Sequence, residues 1–378
     1  MSKESINISM ADFDRVLSGD AQSSACLLDV RNPGDAERWH PEGPGIQEYA
    51  NVPYSDFVDD EDEALEQVPD ASKYYVICAR GLSSDYVAEV LRDRGLNAVN
   101  VEDGMKAWVA YHRTVRISDP SDGFAIYQFV RPSKGCLSYL VVAGKDALFV
   151  DCSRFVDFYR AFAQQLGVRV IGVVDTHLHA DHISGGAALA KEFGAPYYLA
   201  DEDAQGSEIT RTPMPRSFQL EDVKVNVSSI PVPGHTLGST ALTIAGRYLV
   251  SGDTLLPDGI GRPDLGNSAR EWTELLYESV HDVLGKLDPR MLVLPAHVAS
   301  PSQYDARGAC VRELGDLLKM LPGDRATFLE LVGNLVDRNS QPPEYAAIRK
   351  LNLTQVPSPK AEELEIGVNR CALVAAGT

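Results

Sequence analysis

Metal-binding side chains are concentrated in one short stretch, residues 173–182, which reads VVDTHLHADH. An apolar run ends there, and two histidines, an aspartate and a third histidine follow within six positions: His177, His179, Asp181 and His182. Since alternate side chains of an extended segment point the same way, we expect His177 and His179 to leave one face together. Asp181 and His182 are expected in the turn before the next helix, SGGAALAKEFG.

Three later segments repeat the pattern. Each is an apolar, strand-like run that ends in one ligand-type residue: His235, Asp253 and His297. Ligands collect at the carboxyl ends of strands in α/β proteins, so we expect all seven side chains around one cleft. Imidazole and carboxylate without thiolate suit zinc, iron or manganese better than copper(I) or an iron–sulfur cluster. The pattern therefore indicates strongly that a metal is bound. It indicates only weakly which metal that is.

A reactive cysteine is predicted in the N-terminal part. The strand-like run YYVIC ends at Cys78, and ARGLSS leads from it into the amphipathic helix DYVAEVLRDRG. Backbone N–H groups and the positive end of a helix dipole favour the nucleophilic thiolate there. Ser83 or Ser84 is expected to cap the helix, and Arg80 adds a positive charge. The alternative is that Cys78 simply fills the core.

The elements that position these residues suggest two domains, since 378 residues exceed the usual size of one core. Residues 1–115 alternate short strands and helices, which predicts a parallel sheet with helices on its faces. Residues 116–122 are expected to form a linker, because they are polar and interrupted by proline. Residues 123–378 form the metal domain and end in helices, predicted in YDARGACVRELGDLLKML, RATFLELVGNLVDR and PPEYAAIRKLNL.

Composition limits the partners. A net charge of −19 and a pI near 4.8 argue against a nucleic-acid binder, which needs a basic surface. The acidic run at residues 59–63 is predicted to be a solvated helix face. The six cysteines lack CxxC spacing, which fits free thiols, and five are expected to be small buried hydrophobic residues. Neither a targeting sequence nor a membrane-spanning stretch is visible, so a cytoplasmic location without a membrane partner is expected.

The metal motifs resemble those of a known superfamily. THLHADH, with the later GH, GD and AH pairs, is similar to the metallo-β-lactamase superfamily, which implies an αββα sandwich. KGCLSYLV, HADHISGG and GRPDLG further resemble persulfide dioxygenases (sulfur dioxygenases), over about residues 123 to 300. Zinc hydrolases, glyoxalase II and flavodiiron proteins share the first motif, although a flavodiiron protein is expected to have Glu at His179. GRPDLG is the more discriminating stretch.

This resemblance implies particular roles. It assigns one iron(II) per chain to His177, His235 and Asp253, which matches the two-histidine, one-carboxylate set of non-haem iron oxygenases. The remaining metal-binding side chains would lie outside the iron shell or hold a second metal: His179, Asp181, His182 and His297. Arg262 and Asp264 of GRPDLG would bind substrate.

The N-terminal part resembles a rhodanese domain, a sulfurtransferase whose cysteine carries sulfane sulfur. The motifs are LLDVRNPGDAERWH, CARGLSS and EDGMKAW, and the match spans about residues 5 to 113. It implies that Cys78 and Arg80 are catalytic. The sequence departs at Ser83, where many active rhodaneses have Arg, which puts anion affinity and donor preference in question.

Together the resemblances predict an enzyme that uses O2 and iron to oxidise glutathione persulfide, or a related persulfide, to sulfite and thiol. Sulfur transfer through Cys78 would involve thiosulfate or sulfite. One alternative is a glyoxalase II-like thioester hydrolase with two zinc ions. Another is an N-terminal domain that only binds or senses sulfur species. A lactamase is disfavoured by GRPDLG and by the rhodanese-like partner, and a homo-oligomer is expected by family analogy alone.

Overall fold

The computed structural model describes residues 7–20, 24–207, 209–221, 225–266, 268–356, 358–367 and 369–374. Two compact units make up the chain: Met1–Arg113 with Arg131–Lys134, and Thr114–Val130 with Gly135–Thr378. Within the described ranges, no helix combines the length and the apolar character needed to cross a bilayer.

The first unit is a five-stranded parallel sheet with helices, as the alternation of elements predicted. The strands are β1 (Asn7–Ile8), β2 (Ala25–Asp29), β3 (Glu48–Asn51), β4 (Lys73–Ile77) and β5 (Ala98–Val101), in the order β1-β5-β4-β2-β3. The helices are α1 (Met10–Arg15), α2 (Pro33–Arg38), α3 (Tyr54–Asp59), α4 (Glu61–Glu66), α5 (Leu82–Asp93) and α6 (Gly104–Ala110). Strands β2 and β4 are almost wholly buried, because helices cover both faces of the sheet.

The second unit contains two six-stranded sheets. The first has the order β11-β10-β9-β8-β7-β6, with β6 (Arg113–Arg116), β7 (Ala125–Arg131), β8 (Cys136–Ala143), β9 (Asp146–Val150), β10 (Arg169–Val174) and β11 (Tyr197–Tyr198). The second has the order β12-β13-β14-β15-β17-β18, with β12 (Ser217–Phe218), β13 (Val227–Pro231), β14 (Thr240–Ile244), β15 (Tyr248–Gly252), β17 (Leu292–Pro295) and β18 (Arg312–Glu313). A two-stranded ribbon pairs β16 (Gly259–Gly261) with β19 (Ala372–Val374).

Helices cover the outer faces of both sheets. They are α7 (Val156–Leu166) and α8 (Gly186–Phe193) on the first sheet, and α9 (Ala269–Tyr277), α10 (Leu314–Lys319) and α11 (Arg325–Arg338) on the second. Two further helices, α12 (Glu344–Thr354) and α13 (Ala361–Leu364), follow. Strand β9 shows how the layers form, because its side chains alternate between faces. Leu148 and Val150 pack into the core between the sheets, whereas Ala147 and Phe149 pack into the core that contains Tyr159 of α7. The predicted αββα sandwich is confirmed.

Two local expectations differ from the structure. The stretch predicted as a helix from residue 304 becomes helical only at Leu314, because Arg312 and Glu313 pair with β17 as strand β18. The segment expected as a linker, residues 116–122, includes the end of β6 and a 3-10 turn, and its Ile117 is buried with residues of the second unit. The predicted domain boundaries, at residue 115 for the first domain and residue 123 for the second, stay a prediction.

Candidate functional site

All four predicted strand ends are present. Strand β10 ends shortly before His177, and β13, β15 and β17 end before His235, Asp253 and His297. The structure gathers all seven predicted metal-binding side chains in one buried region, each no more than 2% exposed. His177 and His179 lie side by side as expected, with ring centroids 4.3 Å apart, but they do so from a loop, because β10 stops at Val174 and residues 175–183 are not in a strand. Their donor atoms belong to two different groups of ligands.

The first group, here called the triad, consists of His177, His235 and Asp253, whose donor atoms all lie within 4.8 Å of one another. Asp253 Oδ2 lies 3.3 Å from His235 Nε2 and 3.7 Å from His177 Nε2. The other nitrogen of the His235 ring, Nδ1, lies 2.9 Å from the Arg262 carbonyl and donates to it. A proton on Nδ1 leaves Nε2 as a lone-pair donor that faces the carboxylate.

His177 is oriented in the same way through Thr176. The Thr176 hydroxyl donates to the Asp151 carboxylate at 2.9 Å, so its oxygen accepts from His177 Nδ1, also at 2.9 Å. In the described part of the chain, the Nε2 atoms of His177 and His235 and both Asp253 oxygens have no hydrogen-bond partner. Buried polar atoms are rarely left without one. A cation between these atoms fits the donor set.

The electrostatics of the triad also suit a metal. Burial lowers the pKa of His177 well below its usual range and lowers the pKa of His235. Burial would raise the pKa of Asp253, but the neighbouring imidazoles, His297 first, outweigh it and hold that pKa low. Neutral imidazole and ionised carboxylate are the forms that bind metal ions.

The second group, here called the outer group, consists of His179, Asp181, His182 and His297. Asp181 lies 3.1 Å from His182 Nδ1 and 3.6 Å from His297 Nε2. Among the described residues, five buried atoms of this group also lack a hydrogen-bond partner: His179 Nδ1, Asp181 Oδ1, His182 Nε2 and both ring nitrogens of His297. Burial opposes protonation of His182 and His297, yet Asp181 raises the pKa of both well above the usual range. The pKa values of these two histidines thus shift in the direction opposite to those of His177 and His235.

Residues that the motifs did not point to hold the site in place. Asp203 accepts from the Leu178 and Gly238 N–H groups, both at 2.8 Å, and from the Thr236 hydroxyl at 2.7 Å, which ties the two histidine loops together. Asp151 follows the apolar strand β9, so the same strand-end signal that found Asp253 could have found it. Asp203 carries no comparable signal in the sequence.

The GRPDLG stretch packs directly on the triad. A Cβ atom at Gly261 would lie 2.8 Å from His235 Nδ1 and 2.3 Å from the Asp253 carbonyl oxygen, so only glycine fits. Arg262 is 1% exposed and forms a two-pronged ion pair with Asp264, at 2.7 and 2.8 Å. The guanidinium also donates to the Asn339 carbonyl at the end of α11. A substrate-binding role for Arg262 and Asp264 stays a prediction.

Two cysteines contact the metal-binding residues. All six cysteines are buried free thiols, as predicted for five of them. Cys136 Sγ lies 3.4 Å from Asp181 Oδ2, and Cys371 Sγ lies within 4.8 Å of donor atoms of Asp253 and His297. The interpretation of both as ordinary core residues is therefore incomplete, because the sequence spacing could not reveal that the C-terminal strand returns to the site.

Cys78 follows β4 in the first unit and precedes α5, as predicted. Its Sγ accepts hydrogen bonds from the Gly81 N–H and the Ser84 hydroxyl, both at 3.1 Å. The expected serine cap is wrong: Gly81 begins the helix at φ +84°, a conformation that favours glycine, and Ser84 lies inside the helix. Arg80 is exposed on the same loop. The Cys78 sulfur thus accepts two hydrogen bonds, one from a backbone N–H and one from a hydroxyl.

Comparisons with known families match both parts of the chain. A rhodanese-like domain matches residues 10–111, and the metallo-beta-lactamase superfamily matches residues 132–208. Two solved structures share the fold of the second unit. A metallo-beta-lactamase from Staphylococcus aureus is 24% identical, with a TM-score of 0.54 over 62% of this chain and 74% of that chain. ETHE1 from Myxococcus xanthus is 23% identical, with a TM-score of 0.50 over 64% of this chain and 99% of that chain.

The chain thus contains a segment that matches the rhodanese-like domain family and a later segment that matches the metallo-beta-lactamase superfamily, and its homologues include a persulfide dioxygenase. The human mitochondrial persulfide dioxygenase ETHE1 is 29% identical over 184 residues. A hydroxyacylglutathione hydrolase of Anaeromyxobacter dehalogenans is 35% identical over 181 residues. Each alignment covers 46% of this chain and 65% of the relative, so the chain spans less than two thirds of either relative.

Proposed function

We propose that the second unit oxidises a low-molecular-weight persulfide, glutathione persulfide, with dioxygen at one iron(II) held by His177, His235 and Asp253. The observation that carries this proposal is the set of three buried donor atoms that face one another without hydrogen-bond partners: Nε2 of His177, Nε2 of His235 and Oδ2 of Asp253. When bound, iron(II) with two imidazoles and one carboxylate retains open positions for dioxygen and a sulfur ligand. In the overall reaction, the persulfide, O2 and water give the thiol, sulfite and two protons.

The outer group supports this arrangement without entering the iron shell. His297 Nε2 lies 3.1 Å from Asp253 Oδ1, which orients the carboxylate so that Oδ2 faces the triad imidazoles. Burial of the whole region limits access of water to the reacting sulfur. Glutathione as the carrier is supported by the hydrolase relative, whose named substrate is hydroxyacylglutathione.

For the first unit we propose sulfur transfer through Cys78. The thiolate would attack the outer sulfur of thiosulfate, and sulfite would leave with the electron pair of the broken S–S bond. In the opposite direction, sulfite from the iron site would attack the Cys78 persulfide and form thiosulfate. Both directions use one sulfur carrier, and the donors from Gly81 and Ser84 would stabilise charge on it.

Two alternatives have support of their own. The hydrolase relative is the more identical of the two homologues, and the outer group with Asp253 could hold a second metal for thioester hydrolysis. The serine at position 83 favours a first unit that binds sulfur species without transferring them.

Metal analysis paired with oxygen-electrode measurements on glutathione persulfide tests the main proposal. We expect about one iron per chain and oxygen uptake. Two tightly bound zinc ions, thioester hydrolysis and no oxygen uptake after iron reconstitution would establish the hydrolase instead.

A further inference from the structure

We propose that Cys78 passes its sulfur to a cysteine of another protein, which docks beside the Cys78 loop through an apolar surface rimmed with lysine or arginine. The docking surface on this chain, here called the α3–α5 patch, consists of the exposed side chains Tyr54, Val58, Leu82 and Tyr86. The inference rests on the sulfur transfer proposed above and adds the class of acceptor.

The patch concentrates the apolar side chains that the chain exposes. Among the described residues, seven large apolar side chains are exposed, and four of them form the patch, including Leu82, the most exposed at 81%. Leu82 and Tyr86 lie one turn apart on α5, and Tyr54 and Val58 lie one turn apart on α3, so each pair shares a helix face. The rings of Tyr54 and Tyr86 meet edge to face, with centroids 5.6 Å apart, which joins the two pairs. A contiguous exposed apolar surface with a charged rim is typical of a site where another protein binds.

The backbone places both halves of the patch beside the thiol. On the α5 side, the N–H of the residue before Leu82 donates to Cys78 Sγ. On the α3 side, the Val30 N–H donates to the Ile77 carbonyl at 2.9 Å, and the Tyr54 N–H donates to the Val30 carbonyl at 2.9 Å. The patch therefore flanks the carboxyl end of β4, where Cys78 lies.

The rim of the patch is acidic. Asp59 ends α3, and Asp85 and Glu89 lie on α5, one before and one a turn after the tyrosine of the patch on that helix. None of these three carboxylates forms an ion pair with another residue that the structure describes. Arg80 and Lys106, which are exposed near the thiol, do not pair with this rim either. Complementary charge steers association and suppresses wrong partners, so the rim favours a protein with a basic surface.

The transfer is an exchange between a thiol and a persulfide, and it needs no further reactant. The thiolate of the partner's cysteine attacks the outer sulfur of the Cys78 persulfide, one bond beyond Sγ. The S–S bond breaks, and Cys78 leaves as the thiolate with the electron pair of that bond. The partner's thiol proton goes to solvent, and the Cys78 thiolate accepts the hydrogen bonds from Gly81 and Ser84.

The test uses the full-length protein, loaded with sulfur from thiosulfate or glutathione persulfide, and two synthetic peptides as acceptors. Each peptide has one cysteine between leucines, and the ends carry lysines in one peptide and glutamates in the other. Mass spectrometry follows the gain of sulfur by each peptide and by glutathione. We expect the lysine peptide to react about 10-fold faster than the glutamate peptide at low salt, and added salt should shrink this difference.

Serine substitutions test the apolar part of the patch. The double variant Leu82→Ser/Tyr86→Ser should slow transfer to the lysine peptide about 10-fold, because less apolar surface is buried on docking. Transfer to glutathione should stay at the parent rate, since glutathione does not need the patch. Met320→Ser, at an exposed apolar side chain of the second unit, is the control and should change neither rate.

Charge reversal tests the rim. Asp59→Lys/Glu89→Lys should slow the lysine peptide and speed the glutamate peptide. Glu330→Lys, at an exposed glutamate on α11, adds a positive charge elsewhere and should leave the order of the two peptides unchanged. Salt should weaken the effect of the double reversal, because surface charges are screened.

Three results would overturn the proposal. The first is equal rates for the two peptides in the parent protein, and the second is a loss of transfer to glutathione in Leu82→Ser/Tyr86→Ser as large as the loss with the lysine peptide. The third is a concentration-dependent dimer in sedimentation that this double variant abolishes, which would assign the patch to a second copy of the chain.

Failure of sulfur transfer itself is distinguished by a binding measurement. A fluorescent lysine peptide with serine in place of its cysteine cannot accept sulfur, so its anisotropy reports docking alone. Binding to the parent and to Cys78→Ser that is lost in Leu82→Ser/Tyr86→Ser would support the docking surface even if Cys78 carried no sulfur. Equal binding to all three proteins would overturn it.

Discussion

The side-chain amide of Asn352 donates a 2.9 Å hydrogen bond to the backbone carbonyl of His179, across 173 positions of sequence. The same amide nitrogen donates to the His182 carbonyl at 2.9 Å, and its oxygen accepts from the Ser184 N–H at 2.9 Å. One buried side chain of helix α12 therefore forms hydrogen bonds with three backbone groups of the metal-binding loop. Helix α12, which the sequence predicted only as a helix of the C-terminal extension, is therefore part of the site.

Asn352→Leu is expected to loosen this loop. Two buried carbonyls and one N–H would lose their partner, which typically costs ~1–3 kcal/mol for each unsatisfied group. Iron affinity should fall about 10- to 100-fold, as for other losses of supporting groups. Thermal unfolding and iron titration measure both effects, with Lys350→Ala on the exposed face of the same helix as the control. Parent-like iron affinity would show that the loop holds its shape without α12.

Asp253→Ala is expected to remove both bound iron and oxygen uptake, because Asp253 supplies the carboxylate of the triad. Iron content and oxygen consumption with glutathione persulfide are the measurements. Asp288→Ala removes a carboxylate that pairs with Arg290 at the surface and should change neither. Retention of iron in Asp253→Ala would contradict the assigned ligand set.

The outer group should respond differently from the triad. His182→Ala and His297→Ala are expected to reduce activity more than they reduce iron binding, because both imidazoles lie outside the proposed iron shell and act on its surroundings. Parallel measurements of iron content and oxygen uptake separate the two effects, with His177→Ala as the reference for a lost ligand. If either variant lost iron as completely as His177→Ala, the single-iron triad would be the wrong arrangement.

Arg262→Gln tests whether GRPDLG binds substrate or supports the site. The guanidinium is buried against Asp264, and breaking a buried ion pair by removing one partner costs about 3–5 kcal/mol. We expect lower thermal stability and weaker iron binding, since the Arg262 carbonyl accepts from His235. Arg290→Gln, at an exposed pair, is the control. A raised KM with unchanged stability would favour direct substrate binding.

The sequence located the metal-binding side chains but not the residues that orient them. The four strand ends could be predicted because apolar runs that end in a ligand residue are local signals, and β15 before Asp253 is such a run. Asn352 and Cys371 could not be predicted as parts of the site. They belong to C-terminal segments that come close to the metal-binding loop only through tertiary packing. Thr176 was missed for a related reason, since it bonds to Asp151, which follows another strand.

Cys78→Ser tests the first unit and the direction of sulfur flow. Thiol–persulfide exchange requires a thiolate and an accessible sulfur, and a serine hydroxyl cannot carry sulfane sulfur. We expect loss of sulfur exchange among thiosulfate, sulfite and glutathione persulfide. Oxygen uptake with added glutathione persulfide should be nearly unchanged, because the iron site lies in the second unit and uses other residues. Cys26→Ser, a buried cysteine on β2, controls for loss of a core thiol.

One further experiment on the parent protein and the Cys78→Ser variant tests the direction of sulfur flow. If thiosulfate charges Cys78 and glutathione then collects the sulfur, thiosulfate with glutathione should support oxygen uptake in the parent protein but not in Cys78→Ser. If sulfite from the iron site collects sulfur from Cys78, thiosulfate should instead accumulate, and only in the parent. Intact-mass analysis after thiosulfate or persulfide treatment shows whether Cys78 gains a sulfur atom. An unmodified Cys78, together with undiminished sulfur transfer in Cys78→Ser, would make the first unit a binding module.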